Sequence, residues 1–168
     1  MMSGYLDCLR ASEPAPILVL GLGNTLLSDD GVGPVLLGHL SSFAQHWQGQ
    51  VEFVDGGTQG LALLGRLSGR RALIIVDAVK TGAPPGTVHR MTLAELRGAN
   101  PGRADSAHEG NAGALLAAAQ LVDELPDHLF VVGVEPEKIA TGHGLSDAVK
   151  RALPEASEEV HQLLTQLS

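Results

Sequence analysis

One cysteine, Cys8, is all the chain contains, so no disulfide can form within it. Cysteine this sparse fits a reducing compartment, and the expected location is the cytoplasm. Aromatic residues make up only 3%, so a core drawn from 44% hydrophobic residues must be aliphatic. Basic residues are outnumbered, with 11 Lys and Arg against 19 Asp and Glu and a net charge of −8. Such a chain is repelled by phosphate backbones, which sets nucleic acid aside as a partner. No apolar run approaches the length that spans a bilayer, so no membrane partner is expected either. Residues 1–16 carry acids, Gly4, Pro14 and Pro16 rather than a long apolar block, which does not read as a secretory signal. They are expected to form a flexible tail ahead of a single domain over 17–168. With no heptad repeat or long apolar stripe, a monomer is expected.

Several standard sites are missing too. There is no GxxxxGK[ST] loop and no GxSxG elbow. The glycine pattern after Gly21 and Gly23 has Leu26 where a dinucleotide fingerprint needs its third glycine. His108-Glu109 begins like HExxH but lacks the second histidine. Cys8, in the tail, is poorly placed to be a nucleophile.

What is present centres on residues 17–33, ILVLGLGNTLLSDDGVG. Residues 17–20 are an apolar run without alternation, as in a central strand covered on both faces. Gly21 and Gly23 then turn the chain, and Asp29 and Asp30 stand before Gly31, Gly33 and Pro34 at the mouth of a helix over 33–44. The pattern repeats downstream. A strand at 51–54 ends in Asp55-Gly56-Gly57-Thr58, with Thr58 as N-cap of a second helix stopped by Gly69. A strand at 72–76 ends in Asp77. A short edge strand is expected at 87–91, then a capping box at Thr92–Glu95. A second box at Ser106–Glu109 opens an Ala/Leu-rich helix and sets His108 in its first turn. A buried strand at 129–134 precedes Glu135-Pro136. Ser146 caps a helix over 145–153, and Pro154 begins another over 155–167. Alternating buried strands and amphipathic helices predict a single-domain α/β fold, with a mostly parallel twisted sheet of about five strands and helices on both faces.

In such sheets sites gather at the carboxyl ends of strands. Asp29 or Asp30, Asp55, Asp77 and His108 can all converge there. Clustered carboxylates without a local Lys or Arg repel one another unless a cation, a shared proton or a cationic substrate offsets them. Two carboxylates and an imidazole suit zinc or nickel. Each residue also has a plainer reading: Asp30 as a helix cap, Asp77 as a solvated strand end, His108 as an exposed first-turn residue. Asp29 faces solvent or holds the loop. His39, His46, His89, His128, His143 and His161 are taken as structural or surface residues.

The blocks LGLGNTLLSDDGVG, VDGGTQG, IIVDAV, SAHEG, VVGVEP and GLS followed by a helix together resemble the maturation endopeptidases of [NiFe]-hydrogenases, over about 17–167 and in the family's order. The resemblance implies an enzyme that removes a C-terminal peptide from the hydrogenase large-subunit precursor after nickel insertion, so that the new terminus folds in over the metal centre. It implies that substrate-borne nickel is recognised by two carboxylates and a histidine, here Asp30, Asp77 and His108. The empty site would accept another divalent cation. In the best-known members the first carboxylate is Glu; Asp30 is one methylene shorter, so its loop sits closer or the coordination mode differs. Asp55 matches a further functional position, read as orienting the scissile segment or activating water. Gly56, Gly57 and Thr58 would let an extended peptide approach the backbone. Two other classes stay open on the residues alone, a general metal-dependent hydrolase that keeps its metal and a nucleotide-binding module without catalysis.

Overall fold

Strand β1 (Ile17–Leu22) is buried along its whole length. Alternate residues serve two different cores: Ile17 and Val19 join one, Leu18, Leu20 and Leu22 the other. A strand can be apolar without alternation only when helices cover both faces, and this one lies inside the sheet. The computed structural model describes residues 14–98 and 111–168. The proposed tail falls largely outside them, as does the capping box at 106–109.

The sheet runs β2-β1-β3-β5-β4. Its other members are β2 (Val51–Gly57), β3 (Ala72–Ala78), β4 (Val88–Thr92) and β5 (His128–Val134). β1 pairs in parallel with both β2 and β3, β3 pairs in parallel with β5, and β4 closes the far edge antiparallel to β5. The expected short edge strand is therefore present.

Helix α1 (Val32–Leu40) and helix α5 (Asp147–Leu167) cover one face. Leu36, Leu40, Val149, Val160 and Leu163 pack there on Val19, Ile74 and Val76. On the other face lie α2 (Leu64–Leu67), α3 (Leu93–Gly98) and α4 (Asn111–Leu121). Leu67, Leu115 and Leu116 meet Leu20, Leu73 and Ile75 there. Each fully buried aliphatic side chain contributes about 1.5–3 kcal/mol relative to exposure, so an aromatic-poor chain reaches stability by number rather than size.

Three expectations need correction. The first helix stops at Leu40 and continues to Trp47 as a 3-10 segment. The hydroxyls of Ser41 and Ser42 donate to the carbonyls of Gly38 and His39 at 2.6 and 2.9 Å, consuming acceptors the α-helical ladder would use. Thr58 caps nothing; a 3-10 turn over Gly60–Leu63 opens the second helical segment, with Gln59 before it. Pro154 does not divide the last helix, which runs unbroken from Asp147 to Leu167. Its buried stripe of Val149, Ala152, Leu153, Ala156, Val160, Leu163 and Leu164 continues through the proline, so packing outweighs the hydrogen bond that Pro removes. Two caps hold as expected. Ser146 Oγ accepts the Val149 amide at 3.4 Å. The Thr92 hydroxyl and the Glu95 carboxylate exchange bonds with each other's backbone amides at 3.3 and 2.7 Å.

Candidate active site

From β1 the chain leaves to β2 on one side and, after it, to β3 on the other. The crevice at the carboxyl ends of β1 and β3 is thus the topological switch point, where such sheets bind ligands. Asp30 follows β1 and Asp77 lies near the end of β3.

The loop between β1 and α1 crosses this crevice at close quarters. A Cβ on Gly23 would sit 1.8 Å from the Asp30 carbonyl oxygen, and its φ of +129° suits glycine. A Cβ on Gly33 would meet the Leu22 and Val76 carbonyls at 2.1 and 2.6 Å. The two glycines let α1 begin directly over β1 and β3, which brings Asp30 above the crevice.

Asp30 does not cap α1. No side chain bonds the start of that helix, where Gly31 occupies the cap position. Its Oδ2 instead accepts the amide of Asn24 at 2.8 Å. Asp77 has one amide donor, that of Ala78 at 2.8 Å. Burial pushes its carboxyl up to about 8; the Ala78 amide opposes the rise and the nearby charge of Asp30 adds to it. Two acids therefore share one crevice, each with spare lone pairs. A divalent cation would satisfy both.

The other predicted site residues fall differently. Asp55 stands in register with Gly21, and Gly21 with Val76. It is therefore two strand spacings from β3, about 10 Å. Alternation also puts it on the α1 and α5 face, whereas Asp77, the residue after Val76, points to the face that α4 covers. Asp55 is exposed, and its Oδ1 accepts the Gly57 amide at 2.9 Å. Register slips between Gly21 and Leu22, leaving Gly56 as an extra residue in β2. A Cβ there would press on Leu20, Leu22 and Leu63 at 2.8–2.9 Å, and Gly57 adopts a φ of +47°. Thr58 is exposed beside them. These residues form a bulged, open strand end beside the crevice. His108 lies outside the described residues. Helix α4, just beyond it in sequence, packs on the face to which Asp77 points and on the 3-10 turn after β2. Because β5 starts from the opposite rim, α4 runs from the carboxyl rim toward the amino rim. Among the described residues no group of three or more potential ligands is assembled.

Two further acids at this rim are buried, and of these only Glu135 was given no role by the sequence. Asp29 does not face solvent; it is fully buried and holds the loop, the second of its two expected roles. It accepts the amides of Glu137 and Lys138 at 2.8 and 3.0 Å and that of Ser146 at 2.6 Å. Burial pushes its carboxyl up, but these donors outweigh that and hold it below the ordinary range. Glu135 is buried at the end of β5 and accepts the Thr81 and Gly82 amides and the Thr81 hydroxyl at 2.9–3.1 Å. Its carboxyl too is lowered, burial notwithstanding. His89 Nε2 approaches it to 3.4 Å. The available signal was position, since Glu135-Pro136 ends a strand at the same rim. A groove of about 550 Å³, lined by residues including His39, Phe43, Leu153 and His161, lies between α1 and α5, and none of the candidate acids lines it.

A family model described as HycI, hydrogenase maturation protease, matches residues 39–163. The chain belongs to the hydrogenase maturation protease family. It is 36% identical over 148 residues to the hydrogenase 2 maturation protease of Escherichia coli, covering 86% of this chain and 87% of that one. It is 34% identical to the hydrogenase expression/formation protein HupD of Thiocapsa roseopersicina, over 92% of this chain and 70% of the relative. The structure of the hydrogenase maturating endopeptidase HybD from E. coli superposes with a TM-score of 0.78 at 31% identity, covering 90% and 93% of the two chains. Membership makes this α/β protein a protease of hydrogenase maturation and sets the nucleotide-binding alternative aside. No described helix is long and apolar enough to cross a membrane.

Proposed function

We propose that this endopeptidase removes the C-terminal peptide of a [NiFe]-hydrogenase large-subunit precursor once nickel is in place, in the cytoplasm, and that it grips the substrate's nickel with Asp30, Asp77 and His108. The observation that carries this reading is the pairing of Asp30 and Asp77 in the β1/β3 crevice, where Asp77 is pushed up to about 8 by burial and by its neighbour's charge. A cation brought by the substrate relieves that repulsion and displaces the proton. His108, just ahead of α4 in the sequence, is the third ligand in this reading.

The metal then serves as a handle. Held at the crevice, it fixes the adjoining peptide segment against the open end of β2, and orientation supplies much of the rate. Gly57 presents backbone without a side chain to an extended peptide there, with Thr58 beside it, whereas Gly56 is buried and its bare Cα makes room for Leu20, Leu22 and Leu63 rather than for substrate. Asp55 has one carboxylate oxygen engaged by Gly57, and the other, without a partner among the described residues, orients the scissile segment or takes a proton from water. Hydrolysis adds that water's hydroxide to the carbonyl carbon and delivers its proton to the leaving amine. A resident-metal hydrolase is the rival reading; it predicts stoichiometric metal in the purified protein and cleavage of unrelated peptides.

Incubation with nickel-loaded and nickel-free large-subunit precursors, read by mass spectrometry for loss of a C-terminal peptide, tests the reading. Cleavage of the loaded form alone is expected. His108→Ala is expected to fold normally and to lose at least two orders of magnitude in rate. Equal cleavage of the nickel-free precursor would end the recognition role of the metal.

A further inference from the structure

We propose that Asp29 and Glu135 are positioning residues that fasten the loop carrying Asp30 and the loop that follows Asp77 at the end of β3 to one common segment, 135–146, and so set the spacing between the two gripping carboxylates. The inference rests on the proposed roles of Asp30 and Asp77.

Each buried acid takes its donors from the far side of the junction rather than from its own loop. Asp29 sits one peptide bond from Asp30 and collects the amides of Glu137, Lys138 and Ser146. Its own amide returns a bond to the Lys138 carbonyl at 3.1 Å. Around it the Ser28 amide and hydroxyl donate to the carbonyls of Gly142 and Ala140, and the Gly142 amide donates to that of Leu26. Ser28 holds a φ of +51°, a left-handed conformation that non-glycine residues seldom adopt and that these bonds maintain. The loop of Asp30 is thus pinned along 26–30.

Glu135 stands at the head of the same segment and does the corresponding work for the other loop. Its side chain receives Thr81 and Gly82, just beyond Asp77 and Ala78. Its backbone exchanges bonds with Thr87 and Gly86 at 2.9 and 2.8 Å. The Val79 amide donates to the Val134 carbonyl at 3.1 Å. One stretch of chain therefore holds both loops, through one buried carboxylate each. Two buried carboxylates are a costly way to fill space, because each must be matched with donors. The return is directional: three charge-assisted bonds fix a backbone where apolar packing would let it slide. A grip on a metal tolerates little drift, since misplacement by about 1 Å costs on the order of a hundredfold in rate.

The test uses the full chain, with Asp29→Asn, Glu135→Gln, Asp30→Ala, Asp77→Ala and the doubles Asp29→Asn/Asp30→Ala and Glu135→Gln/Asp77→Ala. Calorimetric affinity for free Ni²⁺ and kcat/KM on nickel-loaded precursor are measured well below each variant's unfolding midpoint, with circular dichroism as the folding check. Each positioning variant is expected to lose tenfold or more in both quantities. In its paired background it is expected to lose nothing further, because the carboxylate it positions is already gone. Should Asp29→Asn or Glu135→Gln fail to fold, Thr81→Val, which removes the hydroxyl tie to Glu135 together with that hydroxyl's contacts to His89 and the Ala83 amide, is expected to lose two- to fivefold. Folded variants that bind and cleave like the parent, or losses that multiply in the doubles, overturn the positioning role while leaving the metal grip intact. A parent protein that neither binds Ni²⁺ nor discriminates loaded precursor overturns the grip itself.

Discussion

Apart from Asp55 at the end of β2, four carboxylates at the carboxyl rim of this sheet divide into two pairs. Asp29 and Glu135 are buried; Asp29 draws three backbone amides, and Glu135 draws two amides and a hydroxyl with His89 close by. Asp30 and Asp77 share a crevice, and among the described residues each draws one backbone amide. The first pair is finished by the protein and held charged. The second is left short, and Asp77 is pushed toward its neutral form. A carboxylate with its full complement of donors holds structure; one kept short of donors beside a like charge has capacity for something the chain does not supply.

The largest expected effect exploits that difference. Asp30→Ala and Asp77→Ala should each lower kcat/KM on the loaded precursor by two to three orders of magnitude while the unfolding midpoint stays level or rises, since the first removes a like charge beside Asp77 and the second a carboxyl whose ionised form burial disfavours. Asp29→Ala should do the reverse to stability. Leaving three buried amides without their acceptor costs about 3 kcal/mol, read by urea unfolding. If both kinds of variant lost stability equally, the division between the pairs would fail.

The pairs should also separate by pH. Asp29 and Glu135 have folded values below their unfolded ones, so their contribution is complete above the ordinary carboxylate range and is lost as pH falls through the lowered values. Asp77 runs the other way. It holds its proton to about 8 when folded against an ordinary 3.8, so its contribution is complete below the lower value and is lost as pH climbs between the two. Unfolding midpoints measured in metal-free buffer should therefore fall as pH drops through the lowered values of Asp29 and Glu135, and fall again as pH climbs from 3.8 to about 8. Asp77→Asn should flatten the decline between those two values and Asp29→Asn the acid one. An unchanged decline between 3.8 and about 8 in Asp77→Asn would mean that its carboxyl is not withdrawn from water.

The contrast between the pairs also marks what was legible beforehand. Strands announced themselves because parallel, doubly covered strands are apolar without alternation, as 17–20 and 72–76 are. Asp30 and Asp77 were legible as candidates because strand ends in such sheets are where sites form. Which neighbour of the pair Asp29-Asp30 turns inward was not, since that depends on amides at 137, 138 and 146, more than a hundred residues away in sequence. Glu135 was hidden for the same reason: its partners at 81 and 82 lie across the sheet junction. Pro154 misled because propensity argues locally, while the apolar stripe from Val149 to Leu164 decides tertiary packing. Trp47 shows the same limit: it is buried with its indole N–H unpaired among the described residues, and nothing in its local sequence announces that.

The smallest expected effect tests whether the rim is energetically separate from the opposite end of the sheet. Thr92 pairs with Phe130 near the start of β5, at the amino rim, and its hydroxyl accepts the Glu95 amide at 3.3 Å while donating to the Glu95 carboxylate at 2.9 Å. Thr92→Ala keeps the backbone bond to Glu95 but loses both hydroxyl bonds, which costs about 1 kcal/mol. Distance from the crevice predicts that kcat/KM on loaded precursor stays within twofold. Helix α3, however, leads in sequence toward His108. A fall in kcat/KM well beyond twofold, at unchanged affinity of Asp30 and Asp77 for free Ni²⁺ in a His108→Ala background, would show that this cap also steadies the segment carrying the imidazole, and the site would then extend from one rim of the sheet to the other.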